Sequence, residues 1–288
     1  MNPTENYRFK VGALKCIAIS DRTERFPLDT IVKNISPEQL KQALLECGCS
    51  PTENIAYYNC LYIETDQHRV LIDAGWGKDI RAFGGVNWSG AIVDHLQSES
   101  ITPSDIDTLV ITHGDADHIL GIANLNNELV FPNATYILLK EAWDFWSNEA
   151  NLAQLPALLT IFARKTLPLI KNRIKVVQAG IEFIPGFQLI SAPGHRPGHT
   201  ALAITSSGEH LLHLADTVGH PVLMEHPAWH GYADSQHDLA EKDRVRLLTQ
   251  ASSQQALVFG SHLPFPGVGR ISRHGEGWRW QPLAQASN

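Results

Sequence analysis

The sequence predicts an α+β protein in which two β-sheets pack face to face and helices cover their outer sides. The first observation is the order of elements: strands, helices, four short strands at hairpin spacing, then a helix and a strand. The second is composition, since 288 residues that are 43% hydrophobic and 18% charged can build one large domain with a substantial core. A doubly wound parallel fold fits less well, because it requires a steadier alternation of strands and helices.

Apolar runs and helical spacing locate the elements of the first part of the chain. The predicted strands are residues 10–20, 55–65, 69–75 and 106–112. Helices are predicted at about residues 37–47 and at residues 90–100. The polar, proline-containing stretch of residues 21–39 is predicted to be a loop.

The second part of the chain alternates differently. A strand at residues 134–139 is followed by two helices, the second spanning residues 152–170. Four short strands come next, with Gly, Pro or Asn between them: residues 174–178, 187–192, 200–206 and 209–216. A helix at residues 238–252 then precedes a last buried strand at residues 256–262.

Charge and cysteine usage narrow the class of protein. The formal net charge is −7, and no basic run appears, which disfavours a nucleic-acid-binding protein. No apolar run approaches the roughly 20 residues of a membrane helix, and no secretory signal is visible, so a cytoplasmic protein is expected. The cysteines are predicted to be free thiols in a reducing compartment: Cys16, Cys47, Cys49 and Cys60.

The stretch LVITHGDADHILG, Leu109 to Gly121, holds the strongest chemical signal. An apolar strand ends there in four side chains that can bind metal, His113, Asp115, Asp117 and His118, within six residues. The glycine and alanine between them are small enough for a tight loop. One imidazole–carboxylate pair could serve one metal ion and the second pair another.

Three later strand ends also deliver histidine or aspartate. They carry His195 and His199 in SAPGHRPGHTALAI, Asp216 in LLHLADTVGH with His213 and His220 nearby, and His262 in ALVFGSHLPFPGVGR. A lone histidine after a strand is usually an ordinary loop residue. Four such ends together predict a functional site, because functional groups collect at one edge of a sheet fold.

These motifs carry a resemblance. THGDADHILG, APGHRPGHT, LADTVG and GSHLPFPG occur in the order found in the metallo-β-lactamase superfamily, which the chain resembles from about Lys10 to about Ser272. NCLYIETDQHRVLIDAGWG is similar to the family's early hairpin, with Asp73 where the family supports its metal loop. The resemblance implies a four-layer αβ/βα sandwich, one domain over residues 1–288, and a two-metal site at the sheet edge.

The resemblance also implies a role for each residue of the motifs. One metal would be held by His113, Asp115 and His195. The other would be held by Asp117, His118 and His262, with Asp216 bridging the two ions. His199 follows His195 in the same loop and is expected to support the ligands rather than bind metal.

Asp115 departs from the usual family string H-x-H-x-D-H, in which the second position is histidine. A carboxylate is harder than an imidazole and adds a negative charge. Two divalent ions are still expected, zinc first, with manganese or iron as alternatives that a carboxylate ligand favours.

The function implied by the resemblance is a metal-dependent hydrolase. A hydroxide shared by two metals would attack a small ester, lactone or phosphoester. Asp117 would help orient that hydroxide. If the segment after Asp216 forms a wall of the pocket, His220 would act as a proton donor. HPAWHGYADS and HLPFPG are similar to the branch of phosphotriesterase-type and lactone-cleaving hydrolases. A small-molecule substrate is expected, and a homodimer is a further expectation from that branch.

The segment after Asp216 has two interpretations, a pocket wall or a covering loop with packed aromatic rings. Its ring-bearing side chains are His220, His226, Trp229, His230 and Tyr232. Phe265, fixed between two prolines, is expected to face the pocket.

Alternatives to the hydrolase follow from the same residues. Asp115 motivates a diiron-type redox or dioxygenase protein of the same fold. A metal-binding scaffold without turnover is disfavoured by the full ligand set, and a nuclease is disfavoured by the acidic balance. The sequence contains no G-x-S-x-G, P-loop or dinucleotide glycine motif.

Overall fold

The computed structural model describes residues 6–78 and 89–283. Three stretches lie outside the described residues: 1–5, 79–88 and 284–288. The first belongs to the N-terminal stretch in which no secretory signal was expected, and the second includes the end of GWGKD. Within the described residues, no helix has both the length and the apolar character needed to cross a bilayer.

The first sheet contains seven strands within these residues, and their spatial order follows the chain. The strands are β1 (Asn6–Val11), β2 (Leu14–Phe26), β3 (Asn54–Glu64), β4 (Arg69–Ile72), β5 (Thr108–Val110), β6 (Thr135–Leu139) and β7 (Ile174–Val177). The pairs from β1 to β4 are antiparallel, and those from β4 to β7 are parallel. The parallel arrangement brings the carboxyl ends of β4 and β5 to one edge, where Asp73 and the His113 loop begin.

The second sheet also contains seven strands within the described residues, ordered from β14 to β8. The strands are β8 (Glu182–Ile184), β9 (Phe187–Ser191), β10 (Thr200–Ser206), β11 (Glu209–His213), β12 (Leu257–Phe259), β13 (Val268–His274) and β14 (Gly277–Pro282). The β11–β12 pair is parallel. The strand ends of β11 and β12 therefore point the same way and bring Asp216 and His262 to one edge.

Helices connect the strands and cover the sheets. They are α1 (Pro37–Glu46), α2 (Ile92–Ser98), α3 (Ala116–Ile119), α4 (Lys140–Trp146), α5 (Glu149–Leu152), α6 (Leu167–Ile170), α7 (Val222–Glu225) and α8 (His237–Ser253). The longest, α8, buries Ala240, Leu247, Leu248 and Ala251, at the spacing of one helical face.

The core lies in two clusters that follow the alternation of the strands. In β12, Leu257 and Phe259 join the cluster shared by both sheets, whereas Val258 joins the cluster under α8. Alternate residues of a strand point to opposite faces, so the second sheet is buried on both sides at β12. Burying each such side chain contributes about 1.5–3 kcal/mol. The predicted layered sandwich is confirmed.

Two expectations for the N-terminal region were wrong. Residues 10–20 form parts of two strands, β1 and β2, because the chain turns at Gly12, whose φ is 55°. A Cβ at Gly12 would lie 2.1 Å from the carbonyl oxygen of Ser206. The predicted loop of residues 21–39 begins as the second half of β2, where the register shifts between Ser20 and Arg22. This bulge buries Asp21 and leaves a polar strand that lacks an apolar signal.

The predicted helix of residues 152–170 is broken into short pieces. The helix α5 ends at Leu152, Pro156 begins a 3₁₀ turn, and π-helical residues 162–166 lead into α6. Proline cannot continue an α-helix ladder, which explains the first break. The hairpin of β13 and β14 was not predicted, because its sequence RISRHGEGWRW is largely polar and half of it is exposed.

Candidate metal centre

The loop after β5 places four of the predicted side chains. Residues 111–115 form an irregular loop that ends with Asp115 in an extended conformation, and the single turn α3 then carries Asp117 and His118. Gly114 packs against Phe162, to which an added Cβ would come within 3.0 Å. The contact with Phe162 therefore fixes the position of the loop, whose polar side chains lie at the sheet edge.

The first half of the centre, defined here as His113, Asp115 and His195, joins the two sheets. The Oδ2 atom of Asp115 lies 3.7 Å from Nε2 of His113 and 3.6 Å from Nε2 of His195. All three side chains are at least 86% buried, with side-chain exposures of 0%, 14% and 4%.

The second half of the centre, defined as Asp117, His118 and His262, lies beside the first. The Oδ2 atom of Asp117 lies 3.3 Å from Nε2 of His118 and 3.4 Å from Nε2 of His262. His262 comes from the loop after β12, so this half also draws on both sheets.

Asp216 stands between the two halves. Its Oδ2 atom lies 3.7 Å from Nε2 of His113, 3.4 Å from Nε2 of His195 and 2.9 Å from Nε2 of His262. Its Oδ1 atom lies 3.3 Å from Nε2 of His118. One carboxylate thus faces both groups, which is the position of a bridging ligand.

The residues fit divalent cations on two observations. Among the described residues, Nε2 of His113, His118 and His195 and Oδ1 of Asp216 are buried without a hydrogen-bond partner. Tetrahedral ligands at zinc distances lie about 3.3–3.5 Å apart, and four of the eight distances given above between Nε2 and carboxylate atoms fall in that range. The described histidine and aspartate clusters with metal-binding spacing fall at this centre.

The other ring nitrogen of each histidine explains why Nε2 is available. The Nδ1–H of His118 donates to Asp73 Oδ2 at 2.7 Å. Thr112 donates its hydroxyl to the same oxygen at 2.7 Å, so it accepts from Nδ1–H of His113 at 3.0 Å. Both imidazoles therefore hold a proton on Nδ1 and direct Nε2 at the centre, where it can bind a cation in place of a second proton.

The remaining two histidines are fixed in the same way. The Nδ1–H of His195 donates to Asp234 Oδ1 at 3.2 Å, and Asp234 in turn accepts from the buried Arg244 at 2.8 Å. The Nδ1–H of His262 donates to the carbonyl oxygen of Tyr57 at 2.7 Å. All four imidazoles thus present Nε2 to the centre.

His199 differs from these four. Its Nδ1–H donates to the Ala192 carbonyl at 2.9 Å, and its Nε2 accepts the backbone N–H of Asp216 at 3.0 Å. Because both nitrogens are used, His199 has no lone pair left for a metal. Its contact instead orients Asp216, in line with the supporting role predicted from the sequence.

Asp115 has a partner that the sequence did not reveal. Arg196 donates Nε to Asp115 Oδ1 at 3.0 Å, and its second guanidinium nitrogen lies 2.9 Å from Oδ2. The same guanidinium donates to the carbonyl oxygens of His195, at 3.0 Å, and Ala233. Arg196 lies between the two histidines of GHRPGH, so its position in the motif was the available signal.

The electrostatics of the centre favour positive charge. Burial lowers the pKa of His118, but the carboxylates of Asp216, Asp117 and Asp73 outweigh burial and raise it well above its usual value. Burial likewise opposes the raised pKa of His195, about 9, which Asp115 and Asp234 produce. Burial raises the pKa of Asp216, yet the surrounding imidazoles hold it well below its usual range. The carboxylates therefore remain charged and attract cations.

A cavity of about 300 Å³ opens over the centre. Its floor includes Asp115, Asp117 and Asp216, and its walls are mostly apolar and aromatic. The wall residues are Phe26, Ile31, Ala56, Tyr58, Trp76, His220, Leu223 and Tyr232. Tyr58 stacks edge-on against His262, with ring centroids 5.4 Å apart. A substrate group over the metals therefore extends into an apolar space.

His220 lines this cavity, as the pocket-wall interpretation expected. Its Nδ1 accepts the N–H of Val222 at 3.1 Å, so the ring proton lies on Nε2. Burial lowers the pKa of His220 to about 4, which keeps the ring neutral near pH 7. His220 can donate a hydrogen bond from Nε2, but it holds no imidazolium proton at that pH.

The other rings of the predicted wall divide between the two interpretations. Tyr232 lines the cavity. His226 stacks on Trp229 at 4.1 Å and His230 on His237 at 4.3 Å, both as parts of a covering loop. Phe265 is half-buried and is not among the described residues that line the cavity, contrary to expectation.

The fold and this centre together define a class of protein: a metallo-β-lactamase-type sandwich with two adjoining metal sites at its sheet edge. The model of the metallo-beta-lactamase superfamily matches residues 56–262, and the chain belongs to that superfamily. The recognition made from the sequence motifs is confirmed.

Individual relatives refine the comparison. An N-acyl homoserine lactonase of Bacillus cereus is 24% identical over 170 residues, which cover 54% of this chain and 61% of that protein, less than two thirds of its length. The dizinc quorum-quenching lactonase AidC, solved with the product N-hexanoyl-L-homoserine, is 27% identical, with 97% of each chain covered and a TM-score of 0.86. The hydrolase AbOPH shares the fold at 24% identity, 99% coverage of each chain and a TM-score of 0.84.

These findings confirm the predicted class of enzyme, a metal-dependent hydrolase with two divalent metal ions. The relatives reported above are hydrolases and lactonases, which favours hydrolysis over the redox alternative.

Proposed function

We propose that the protein is a dizinc lactonase that opens the ring of a lactone bearing an acyl chain, such as an N-acyl homoserine lactone. The observation that carries the proposal is the convergence of four imidazole Nε2 atoms on one shared carboxylate, that of Asp216, at 2.9–3.7 Å. The relatives supply the substrate class, since a lactonase of this fold is 27% identical over nearly the whole chain.

In this proposal the first half of the centre would hold one zinc ion and the second half would hold the other, with Asp216 shared between them because its two oxygens face both halves. Bound zinc ions supply Lewis-acid polarisation of the ester carbonyl and a water of lowered pKa. Asp117 lines the cavity, and imidazole neighbours keep its pKa low although burial raises it. It is therefore an anion that can accept a hydrogen bond from a water molecule in the cavity and so orient it.

Tyr58 and His220 position the substrate from the cavity wall. Burial raises the pKa of Tyr58, and the nearby Asp117 carboxylate adds to the effect, so the phenol stays protonated and can donate to a substrate oxygen. His220 donates from Nε2 as a neutral ring. The predicted proton-donor role of His220 is thus proposed here in a narrower form, as a hydrogen-bond donor.

The apolar wall accounts for the acyl chain. Phe26, Ile31 and Leu223 face the cavity, and Ile31 and Leu223 are only 5% and 3% exposed. Fixed apolar walls of this kind bind a hydrocarbon tail through burial of apolar surface. A lactone with a tail would fill both parts of the site, whereas a compact ester would fill only the part over the metals.

The test uses protein stripped with a chelator and reconstituted in turn with zinc, manganese and iron. Each form is assayed with N-acyl homoserine lactones of increasing chain length, an aryl ester and a phosphotriester. We expect no turnover without metal, full recovery with zinc, and kcat/KM for acylated lactones above that for the other substrates. Faster phosphotriester cleavage would overturn the substrate class, and oxygen uptake by the iron form would favour the redox alternative.

Four further expectations remain predictions. They are a single domain over residues 1–288, a homodimer, a cytoplasmic location and the absence of nucleic-acid binding. The cysteines support a reducing compartment, because all four are free. Sedimentation of the zinc form would test the homodimer, and filter binding with duplex DNA would test the last expectation.

A further inference from the structure

The Asp115–Arg196 pair separates this chain from the family string that has histidine at the second ligand position. Both side chains are largely buried, with exposures of 14% and 13%. The fork geometry uses both carboxylate oxygens, with contacts of 3.0 Å to Oδ1 and 2.9 Å to Oδ2. Such bidentate contacts fix the plane of a carboxylate as well as its charge.

The orientation of Asp115 depends on that fork. The same Oδ2 atom that meets the guanidinium also faces His113 and His195, at 3.7 Å and 3.6 Å from their Nε2 atoms. Arg196 is itself anchored by its contacts with two backbone carbonyls, those of His195 and Ala233. The carboxylate is therefore aimed at the first half of the centre by a cation that is tied to the neighbouring loop.

The net charge of the Asp115–Arg196 pair equals that of a neutral histidine ligand. A neutral imidazole ligand adds no charge, whereas an ionised carboxylate adds −1. A guanidinium in direct contact adds +1, so aspartate and arginine together reproduce the net charge of one histidine. Arginine suits this role because it stays protonated and matches a carboxylate with two parallel donors.

We propose that Arg196 is a positioning residue that acts through Asp115, and that the pair works as a charge-balanced replacement for a histidine ligand in the first half of the centre. The inference rests on the proposed function, because it assumes that this half holds a cation. It assigns to Arg196 a role in how tightly that cation is held, although the guanidinium does not itself bind metal.

The proposal predicts that the effect of losing the guanidinium reverses sign with the residue at position 115. In the natural background, R196Q frees the carboxylate to swing, and the affinity of one site for zinc should fall about 10- to 100-fold. In the D115H background the guanidinium would face an imidazole and a dication, so D115H alone should also lose zinc. Adding R196Q to D115H should then restore zinc binding.

The experiment measures zinc bound per chain across a series of buffered zinc concentrations for the natural protein, D115H, R196Q and the double variant. The absorption spectrum of cobalt-substituted protein reports the geometry of each site independently of activity. R196K keeps the charge and should retain more zinc than R196Q. R69Q is the matched control, because Arg69 forms an exposed ion pair with Asp105 at the amino end of β4, whereas the centre lies at the carboxyl ends of the strands.

Each outcome decides the proposal. R196Q lowering zinc affinity in both backgrounds, or R196K behaving as R196Q does, would overturn it. Thermal melting of the metal-free variants separates misfolding from metal loss, and the double variant provides a positive signal that a misfolded protein could not give. A natural protein that binds no zinc would refute the proposed function, whereas two zinc ions with additive variant effects would refute only this inference.

Discussion

The two halves of the metal centre have similar inner residues but different surroundings. In the first half, two guanidinium groups stand behind the carboxylates, Arg196 behind Asp115 and Arg244 behind Asp234. In the second half, the contacts behind the histidines are the carboxylate of Asp73 and the carbonyl of Tyr57. The second half is therefore the more negative one, and it should hold its cation more tightly.

By this comparison, two adjoining metal sites should differ in their affinity for a cation even when each has two imidazoles and one carboxylate. The outer contacts decide how much of each carboxylate's charge remains for the cation. Asp216 faces both halves and so couples them, and Thr112 links them again from outside, because it contacts both His113 and the Asp73 oxygen that holds His118.

Removing the shared carboxylate should have the largest effect, because it breaks both halves at once. D216A should reduce kcat/KM for a lactone about 10³-fold or more, roughly 4 kcal/mol of transition-state stabilisation. Metal analysis should show fewer than two ions per chain. D144A, in an exposed pair with Lys140, serves as the control. Near-natural turnover by D216A would mean that the bridge is wrongly assigned.

Asp21 is a buried carboxylate outside the centre, and it accepts backbone N–H groups from Trp76, Ala91 and Ile92. Burial raises the pKa of Asp21 from 3.8 to about 6. As the pH rises, the Asp21 carboxyl therefore loses its proton at a higher pH in the folded state than in the unfolded state. Its contribution to stability is complete below pH 3.8 and is lost as pH rises through about 6.

The corresponding change in unfolding free energy is about 3 kcal/mol at most. Melting temperatures between pH 4 and pH 7, compared for the natural protein and D21N, measure it. Relative to D21N, the natural protein should lose stability over this range. Parallel pH profiles would show that Asp21 does not titrate there.

Asp73 and Asp234 are the outer carboxylates of the two halves, and changing each to its amide should lower zinc affinity by different amounts. Oδ1 of Asp73 accepts the Thr112 N–H at 2.9 Å, so in D73N the new NH₂ must face Nδ1–H of His118. That clash moves the imidazole proton to Nε2 and blocks the cation. In D234N the amide oxygen can still face His195, because Arg244 keeps three backbone carbonyls as acceptors.

We therefore expect zinc affinity to fall about 100-fold in D73N and about 10-fold in D234N. Competition with a chromophoric chelator measures both losses, and D144A again provides the reference. Equal losses in the two variants would argue against the asymmetry between the halves.

The smallest effect concerns the cavity wall rather than the ligands. Y58F should lower kcat/KM about 3- to 10-fold, the loss expected for one neutral hydrogen bond, with no change in bound zinc. Y62F is the matched control, because Tyr62 lies in the same strand with its hydroxyl 3.5 Å from Glu64. A loss of zinc in Y58F would show that Tyr58 supports His262 instead of the substrate.

The sequence located the chemistry better than it located the elements. The apolar strand and the polar residues at its end lie within thirteen consecutive residues, so the His113 loop could be predicted from the local pattern alone. The polar second half of β2 was missed, since it is stabilised by pairing with β3 further along the chain. The hairpin of β13 and β14 was missed because its residues are largely polar and half of them are exposed. Phe265 was misplaced for a related reason, because fixed backbone angles do not determine which surface a ring meets.

The sequence by itself determined the fold family and the order of seven candidate metal ligands, since each of them lies in a short motif with its own local geometry. The tertiary structure alone decided which nitrogen each imidazole presents, which acid stands behind it, and that Asp115 meets a guanidinium 81 residues further along the chain. Those features depend on contacts between strand ends of two different sheets, and such contacts exist only after the layers have packed.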